Sequence, residues 1–338
     1  MLFSNAMTNK KTTVTLEDVA DATGFSRALI SIVMRNVPGA SDKTREIVMA
    51  KAKELGYRPD IRARALASTD SRIIGVVFGV AGSFHLKLLD GLYAAADKHR
   101  YSLVLSAVTS ARNETKAVSG LLDFRLAGLI MLGPAKAKPI FAGQLPIAVV
   151  GWQVSEQAVD SIQTSYDSGM RLAIDHLVGL GHKSIAHIDG GSGLIATART
   201  RSYKKAMKAA GLTEFIQVIS GGEDSLDGQK AADSVLQLAS RPTAIIAYND
   251  DVAVAASTHF AYAGLSVPCD ISLVGWDDSD AAARSEIPLT SVRQEPEQLA
   301  DLAFARILSR IENPEQEFEA IVLEPTLVVR LSTGKVQD

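Results

Sequence analysis

The stretch Val14-Thr15-Leu16-Glu17-Asp18-Val19-Ala20, followed by Gly24-Phe25-Ser26-Arg27 and closed by Leu55-Gly56-Tyr57-Arg58-Pro59, decides the architecture of this 338-residue chain. Thr15 is placed to cap a helix whose third residue is the acid Asp18, and Leu16, Val19 and Ala20 recur at helical spacing. The pattern predicts a first helix over 16–23. Gly24 supplies a tight corner, and Ser26 caps a second helix reaching Met34, with Leu29, Ile30 and Val33 as its buried stripe. A third helix begins at Ser41, turns Ile47, Val48, Ala52 and Leu55 toward the first two, and stops at Gly56 before Pro59.

Two short helices about a Gly corner form the helix-turn-helix arrangement. In such a unit the first residues of the second helix face base edges in the major groove, which makes Ser26, Arg27 and Ala28 the candidates for reading sequence. Thr15, Ser31, Arg35, Tyr57 and Arg62 are grouped with them as candidate DNA contacts. Arg35, Lys43, Arg45, Lys51, Lys53 and Arg58 lie near phosphates or on a solvated face. A purely structural three-helix bundle is the alternative, and charge helps to decide. Residues 8–72 hold twelve Lys or Arg against eight Asp or Glu, whereas the remainder holds twenty-three against thirty. The basic charge sits where the motif sits.

On these motifs the chain resembles the lactose-repressor (LacI/GalR) family of bacterial transcription regulators, over nearly all of residues 13–333. Three segments are expected: a helix-turn-helix DNA-binding domain over 13–59, a hinge helix and linker over 60–71, and an effector-binding and dimerisation domain over 72–338. The stretch Asp60-Ile61-Arg62-Ala63-Arg64-Ala65-Leu66-Ala67 is too short to be a stable helix alone in water. The resemblance implies that it folds on the operator, pairs with its dimer copy and pushes Leu66 into the minor groove, an apolar wedge that kinks the duplex. A flexible linker whose Leu packs on the core is the other reading.

Beyond the linker, strands and helices alternate. Short, nearly continuous apolar runs occur at 73–78, 102–105, 128–131 and 147–150, with helices near 85–99 and 113–124. A second series follows at 184–188, 215–219, 243–247 and 271–275, with helices near 167–180, 196–210, 226–239 and 250–263. Such runs are expected of parallel strands covered on both faces. About 265 residues suit two subdomains, and Glu297 to Ile311 and Thr326 to Leu331 complete them after chain crossovers. The fold class is α/β: a helical N-terminal domain plus, as the resemblance implies, a two-subdomain periplasmic-binding-protein-like domain with parallel sheets.

Ligands of such sheets sit outside the carboxyl ends of the strands, here between the halves. Asp277 and Asp278, Asn249 and Asp250, and Arg199 all fall at strand ends. Carboxylates, an amide and a guanidinium suit a polyhydroxylated or anionic small molecule. The resemblance assigns effector contact to Arg199 and Asp277, and Asn249-Asp250 matches a family motif; a helix cap is the simpler role for Asp250. Trp152 and Phe84 have two readings each, stacking on a ligand or plain packing. Gln294 joins the candidate effector residues. Trp152-Gln153, Ser165-Tyr166 and Ile32 depart from the family pattern, which leaves effector and operator half-site open.

Catalysis finds little support: six His residues show no metal-ligand spacing, and no nucleophile elbow, P-loop or zinc signature occurs. The Gly-rich run 189–193 reads as a turn at the cleft rim. No cofactor is expected. A single Cys269 fits a reducing cytoplasm, no apolar run spans a membrane, and the first residues lack a secretory signal. The expected protein is a cytoplasmic homodimeric repressor, open to higher assembly, whose partners are operator DNA and a carbohydrate-like effector. A sugar-binding receptor without a DNA role is the alternative.

Overall fold

A computed structural model describes residues 14–34, 37–57, 71–80, 84–133, 145–152 and 159–337. The chain divides after Ser71 into two compact units. Arg35, Arg58, Arg62, Leu66 and Gln153, with the expected hinge helix, lie outside the described residues.

The N-terminal unit consists of α1 (Leu16–Thr23), α2 (Arg27–Met34) and α3 (Asp42–Leu55). Thr15 and Asp18 form the reciprocal capping box expected of them, and Gly24 ends α1 at φ 72°. Ser26 Oγ accepts from Leu29 N at 3.3 Å, and Ser41 Oγ caps α3 through Thr44 N at 3.2 Å. Val19, Ile30, Val33, Val48 and Ala52 form the core. Ile47, expected to face it, is 43% exposed. It lies about 100° around the helix from Val48, off the i, i+4, i+7 stripe that Val48, Ala52 and Leu55 share.

The second unit folds as two lobes, each built on a six-stranded sheet. In the N lobe, β1 (Ile73–Gly79), β2 (Ser102–Val108), β3 (Gly128–Leu132), β4 (Ile147–Val150) and β5 (Asp160–Thr164) alternate with α4 (Phe84–His99) and α5 (Glu114–Leu122). The chain then enters the C lobe through α6 (Tyr166–Gly179). There it forms β6 (Ile185–Ile188), α7 (Leu194–Ala209), β7 (Gln217–Ile219), α8 (Ser225–Leu236), β8 (Ala244–Ala247), α9 (Asp250–Tyr262), β9 (Ser272–Trp276), α10 (Asp280–Arg284) and β10 (Thr290–Arg293). It returns as α11 (Pro296–Glu312) and β11 (Ala320–Leu323) to the N lobe, then crosses back as β12 (Thr326–Val328).

The strand orders are β11-β5-β4-β3-β1-β2 and β12-β10-β9-β8-β6-β7. Every pairing is parallel except β10 with β12. Apolar side chains cover both faces of each sheet, which is why the central strands read as unbroken apolar runs. Three crossings of the chain therefore hinge the lobes. They are tied sideways by Thr164 Oγ1 donating to Gln294 O at 2.9 Å and Ser165 N donating to Leu323 O at 2.8 Å.

The strands without an apolar run, β5 and β10, are held by their polar side chains. Asp160, 1% exposed, accepts from Arg306, Arg310 and the Glu319 N–H at 2.8 to 3.3 Å. Burial alone would raise its pKa, but bonds from Arg310, Glu319 and Arg306 outweigh it and hold the carboxyl below its ordinary value. The cluster locks α11 to β5. Removing one partner strands buried guanidinium charge, so Asp160→Ala is expected to cost about 3–5 kcal/mol, read by urea denaturation at pH 7; a loss below about 1 kcal/mol would contradict this role.

Candidate functional site

In the N-terminal unit Thr15, Ser26, Arg27 and Ala28 are exposed, and Ser31 and Tyr57 are half-buried. The exposed residues sit at the N-terminal ends of α1 and α2. Unsatisfied N–H groups and the helix dipole make such ends favourable to phosphate. Thr15 is already engaged by Asp18, its hydroxyl 2.6 Å from Asp18 Oδ2. Arg27, 72% exposed along its side chain, meets Glu17 only at 3.8 Å. An exposed pair of that length is weak and leaves the guanidinium available.

In the second unit the carboxyl ends of the C-lobe strands gather a connected polar group. Arg199, in the second turn of α7, is 5% exposed. Its guanidinium carbon lies 4.5 Å from the Trp276 ring centroid, 4.8 Å from Tyr248 and 5.4 Å from Tyr166, a three-sided aromatic cage. Nη1 donates to the Tyr248 carbonyl, and Nη2 lies 3.9 Å from Asp277 Oδ1. Gln294 Nε2 donates to the same Asp277 oxygen at 2.6 Å. Arg199 Nε and Trp276 Nε1 are buried without a hydrogen-bond partner among the described residues. Buried donors left free at a strand-end cluster point toward an acceptor that a ligand would bring.

Arg199, Asp277 and Gln294 thus come together as one group. Asn249 does not join it through a side-chain bond: its Oδ1 caps α9 through Val252 N at 2.8 Å, and its Nδ2 donates to Glu223 O at 2.9 Å. The cap expected of Asp250 is therefore Asn249's. Asp250 is the first helical residue, and it accepts from Ser279 N and Ser291 Oγ at 2.6 Å each. Phe84 and Trp152 stand at the carboxyl ends of the N-lobe strands β1 and β4, both half-buried against apolar clusters. Of the cage residues, sequence reasoning marks Tyr166 only as a departure from the family pattern and misses Tyr248 and Trp276. The signal was present, since Tyr248 and Trp276 directly precede Asn249 and Asp277.

Burial pushes the Asp277 carboxyl up to about 8 against the lowering effect of Arg199, and the neighbouring Asp250 reinforces the rise. An acid raised in this way keeps its proton in the folded state after the unfolded chain has lost it, so it withdraws stability as pH rises from about 4 to about 8. Asp250, raised by burial to about 6, acts in the same sense over the lower part. His187 has the opposite sign: burial lowers it to about 4, and burial lowers His85, His176 and His182 as well. Neutral buried histidines withdraw stability as pH falls below about 6.5. Between about pH 6.5 and 8 the Asp277 effect stands clear of these. Unfolding free energy of the ligand-free protein is expected to decline with pH across that window, and Asp277→Asn to flatten the decline. Urea titrations at its two ends check this, and equal slopes in both proteins would refute it.

A helix-turn-helix reader and a two-lobed receptor in one chain define the class of ligand-regulated DNA-binding proteins. Comparison with known proteins agrees. Residues 15–60 match the lacI family of bacterial regulatory proteins, and residues 174–333 match the periplasmic binding protein-like domain. The ribose operon repressor of Haemophilus influenzae is 30% identical, over 94% of this chain and 98% of the relative. The PurR repressor of Vibrio vulnificus is 27% identical, over 95% and 99%. Among solved structures, the lac repressor dimer bound to operator and the anti-inducer ONPF aligns with a TM-score of 0.81 at 30% identity, over 95% of this chain and 99% of that one. A complex of the regulator CelR with cellobiose aligns at 0.70 and 28%, over 94% and 99%. The chain belongs to the lacI family of bacterial regulatory proteins and is a ligand-responsive, DNA-binding transcriptional repressor. No described helix is long and apolar enough to cross a membrane.

Proposed function

We propose that this repressor is a homodimer released from a pseudo-palindromic operator when an uncharged carbohydrate binds between its lobes. One observation carries the choice of ligand. Arg199, Asp277 and Gln294 gather hydrogen-bond donors and acceptors in one buried group, with the Arg199 guanidinium set among three aromatic rings. A sugar hydroxyl can give its proton to Asp277 and accept one from Arg199, and the free Nε and Trp276 Nε1 add donors for ring or hydroxyl oxygens. The half-buried Phe84 and Trp152 rings suit the apolar face of a pyranose or furanose. A repressor of a ribose operon and a cellobiose-bound regulator among the relatives support the same class. Phe84 and Trp152 form the N-lobe side of the pocket, and Asn249 fixes the start of α9 beside it.

On the DNA side, Ser26, Arg27 and Ala28 read bases from α2, while Thr15, Ser31, Arg35 and Tyr57 contact the backbone. Arg62 and Leu66 act from the hinge, with Leu66 as the minor-groove wedge. Sugar binding favours one lobe arrangement, and operator affinity falls only by as much as the sugar discriminates between the arrangements.

A thermal-shift screen of neutral sugars, sugar acids, sugar phosphates and nucleobases tests the effector class. We expect a concentration-dependent rise with a neutral sugar, lost by at least ten-fold in affinity in Arg199→Met; a rise only with charged compounds would overturn the assignment. For the reader, Arg27→Ala is expected to weaken specific DNA binding by about 1–3 kcal/mol and to relax one base position. Selection from random duplexes followed by titration checks it, and unchanged preference would remove Arg27 from base reading.

A further inference from the structure

Lys87 lies in the first turn of α4, on the N lobe, yet its ammonium engages the C lobe. Nζ donates to the main-chain carbonyl of Asp278 at 2.6 Å and lies 3.6 Å from Asp280 Oδ1. The Lys87 side chain is 25% exposed, so the bond is partly shielded from water. This contact spans the lobes away from the three crossover segments.

The loop it grips has an unusual backbone. Asp277 and Asp278 both have positive φ, 110° and 51°, a conformation that non-glycine residues hold only where their surroundings enforce it. The C lobe does the enforcing. Asp277 N donates to Val292 O at 2.8 Å, Asp278 N donates to Ser291 Oγ at 3.0 Å, and the Asp278 carboxylate takes Arg330 at 2.6 Å and Arg293 at 3.2 Å. With the other polar groups of Asp278 bound to its own lobe, the carbonyl offered to Lys87 moves with the C lobe as a rigid piece. Asp277, in the same loop, also faces Arg199. Asp280 is shared with Arg284 at 3.2 Å, and Glu223 of the C lobe acts electrostatically on His85, two residues before Lys87.

We propose that Lys87 is a positioning residue for effector response: it holds the lobes closed and makes the state of the Asp277 loop felt by α4. The coupling part rests on Asp277 being an effector contact; the closure part does not. A sugar that engages Asp277 between the lobes moves the C lobe relative to α4, and because the loop moves with its lobe the change passes to the N lobe through one ammonium.

The test uses the full chain, with Lys87→Met to remove the donor, Lys87→Arg to retain one, and Asp280→Asn to remove only the longer ion pair. Hydrogen exchange of the ligand-free proteins is read first. Lys87→Met is expected to speed exchange about three- to ten-fold in segments 84–91 and 277–284 while leaving α8 and the N-terminal unit unchanged, with Lys87→Arg near wild type and Asp280→Asn between them. Unchanged exchange, or a rise spread evenly over the chain, would overturn the proposal. D-ribose titration follows. If wild type binds and Arg199→Met does not, Lys87→Met should bind about three- to ten-fold more weakly, with Lys87→Arg within about two-fold. Equal binding by wild type and Lys87→Met would overturn the coupling. Exchange changes as expected with no ribose binding to wild type support Lys87 as the closure contact and count against ribose as the sugar.

Discussion

A guanidinium buried among three aromatic rings is costly to desolvate, and Arg199 carries that cost at the centre of the receptor unit. The ring faces of Tyr166, Tyr248 and Trp276 return part of it, and Asp277 stands 3.9 Å away, a distance too long for a direct hydrogen bond. The balance is incomplete, because Arg199 Nε and Trp276 Nε1 find no partner among the described residues. A site poised in this way is closer to satisfaction with a hydroxylated ligand present than without one.

The cage draws on α6, β8, β9 and the start of α7, and Gln294, which orients Asp277, sits at a lobe crossover where Thr164 holds its carbonyl. The groups proposed to touch the effector are thus continuous with the groups that hinge the lobes. No long relay is needed for occupancy to alter lobe orientation. In the proposed mechanism the two-state element is the lobe pair itself, and a ligand shifts it by its differential affinity for the two arrangements.

Much of this was legible in the sequence, and where it was not the reason is physical. Apolar runs located β1, β3, β4, β6, β8 and β9, because strands covered on both faces must be apolar throughout. Caps located α1, α2 and α3 within a residue. The crossover strands β5 and β10 were silent: Asp160-Ser161 and Thr290-Ser291 are buried through hydrogen bonds and ion pairs to residues far along the chain, and no local pattern announces such partners. Ile47 illustrates the opposite error, an apolar residue read as core that the helical phase turns outward. At the site, family-like motifs single out Arg199 and Asp277, and the structure brings the two to within 3.9 Å. The cage and Lys87 are not singled out in this way, because an aromatic beside a strand end reads as packing and a lysine on a helix reads as solvated until the fold brings them to a partner.

The central claim is that sugar occupancy at Arg199 and Asp277 controls the DNA-binding state. The most direct measurement is operator affinity of the full chain, on a duplex selected by the protein itself, with and without saturating sugar, in wild type and Arg199→Met. The account predicts that sugar weakens operator binding of wild type by at least about five-fold, the lower end of ordinary allosteric coupling, and leaves Arg199→Met unchanged. A sugar that binds wild type tightly without altering its operator affinity, or one that alters both proteins equally, would contradict it.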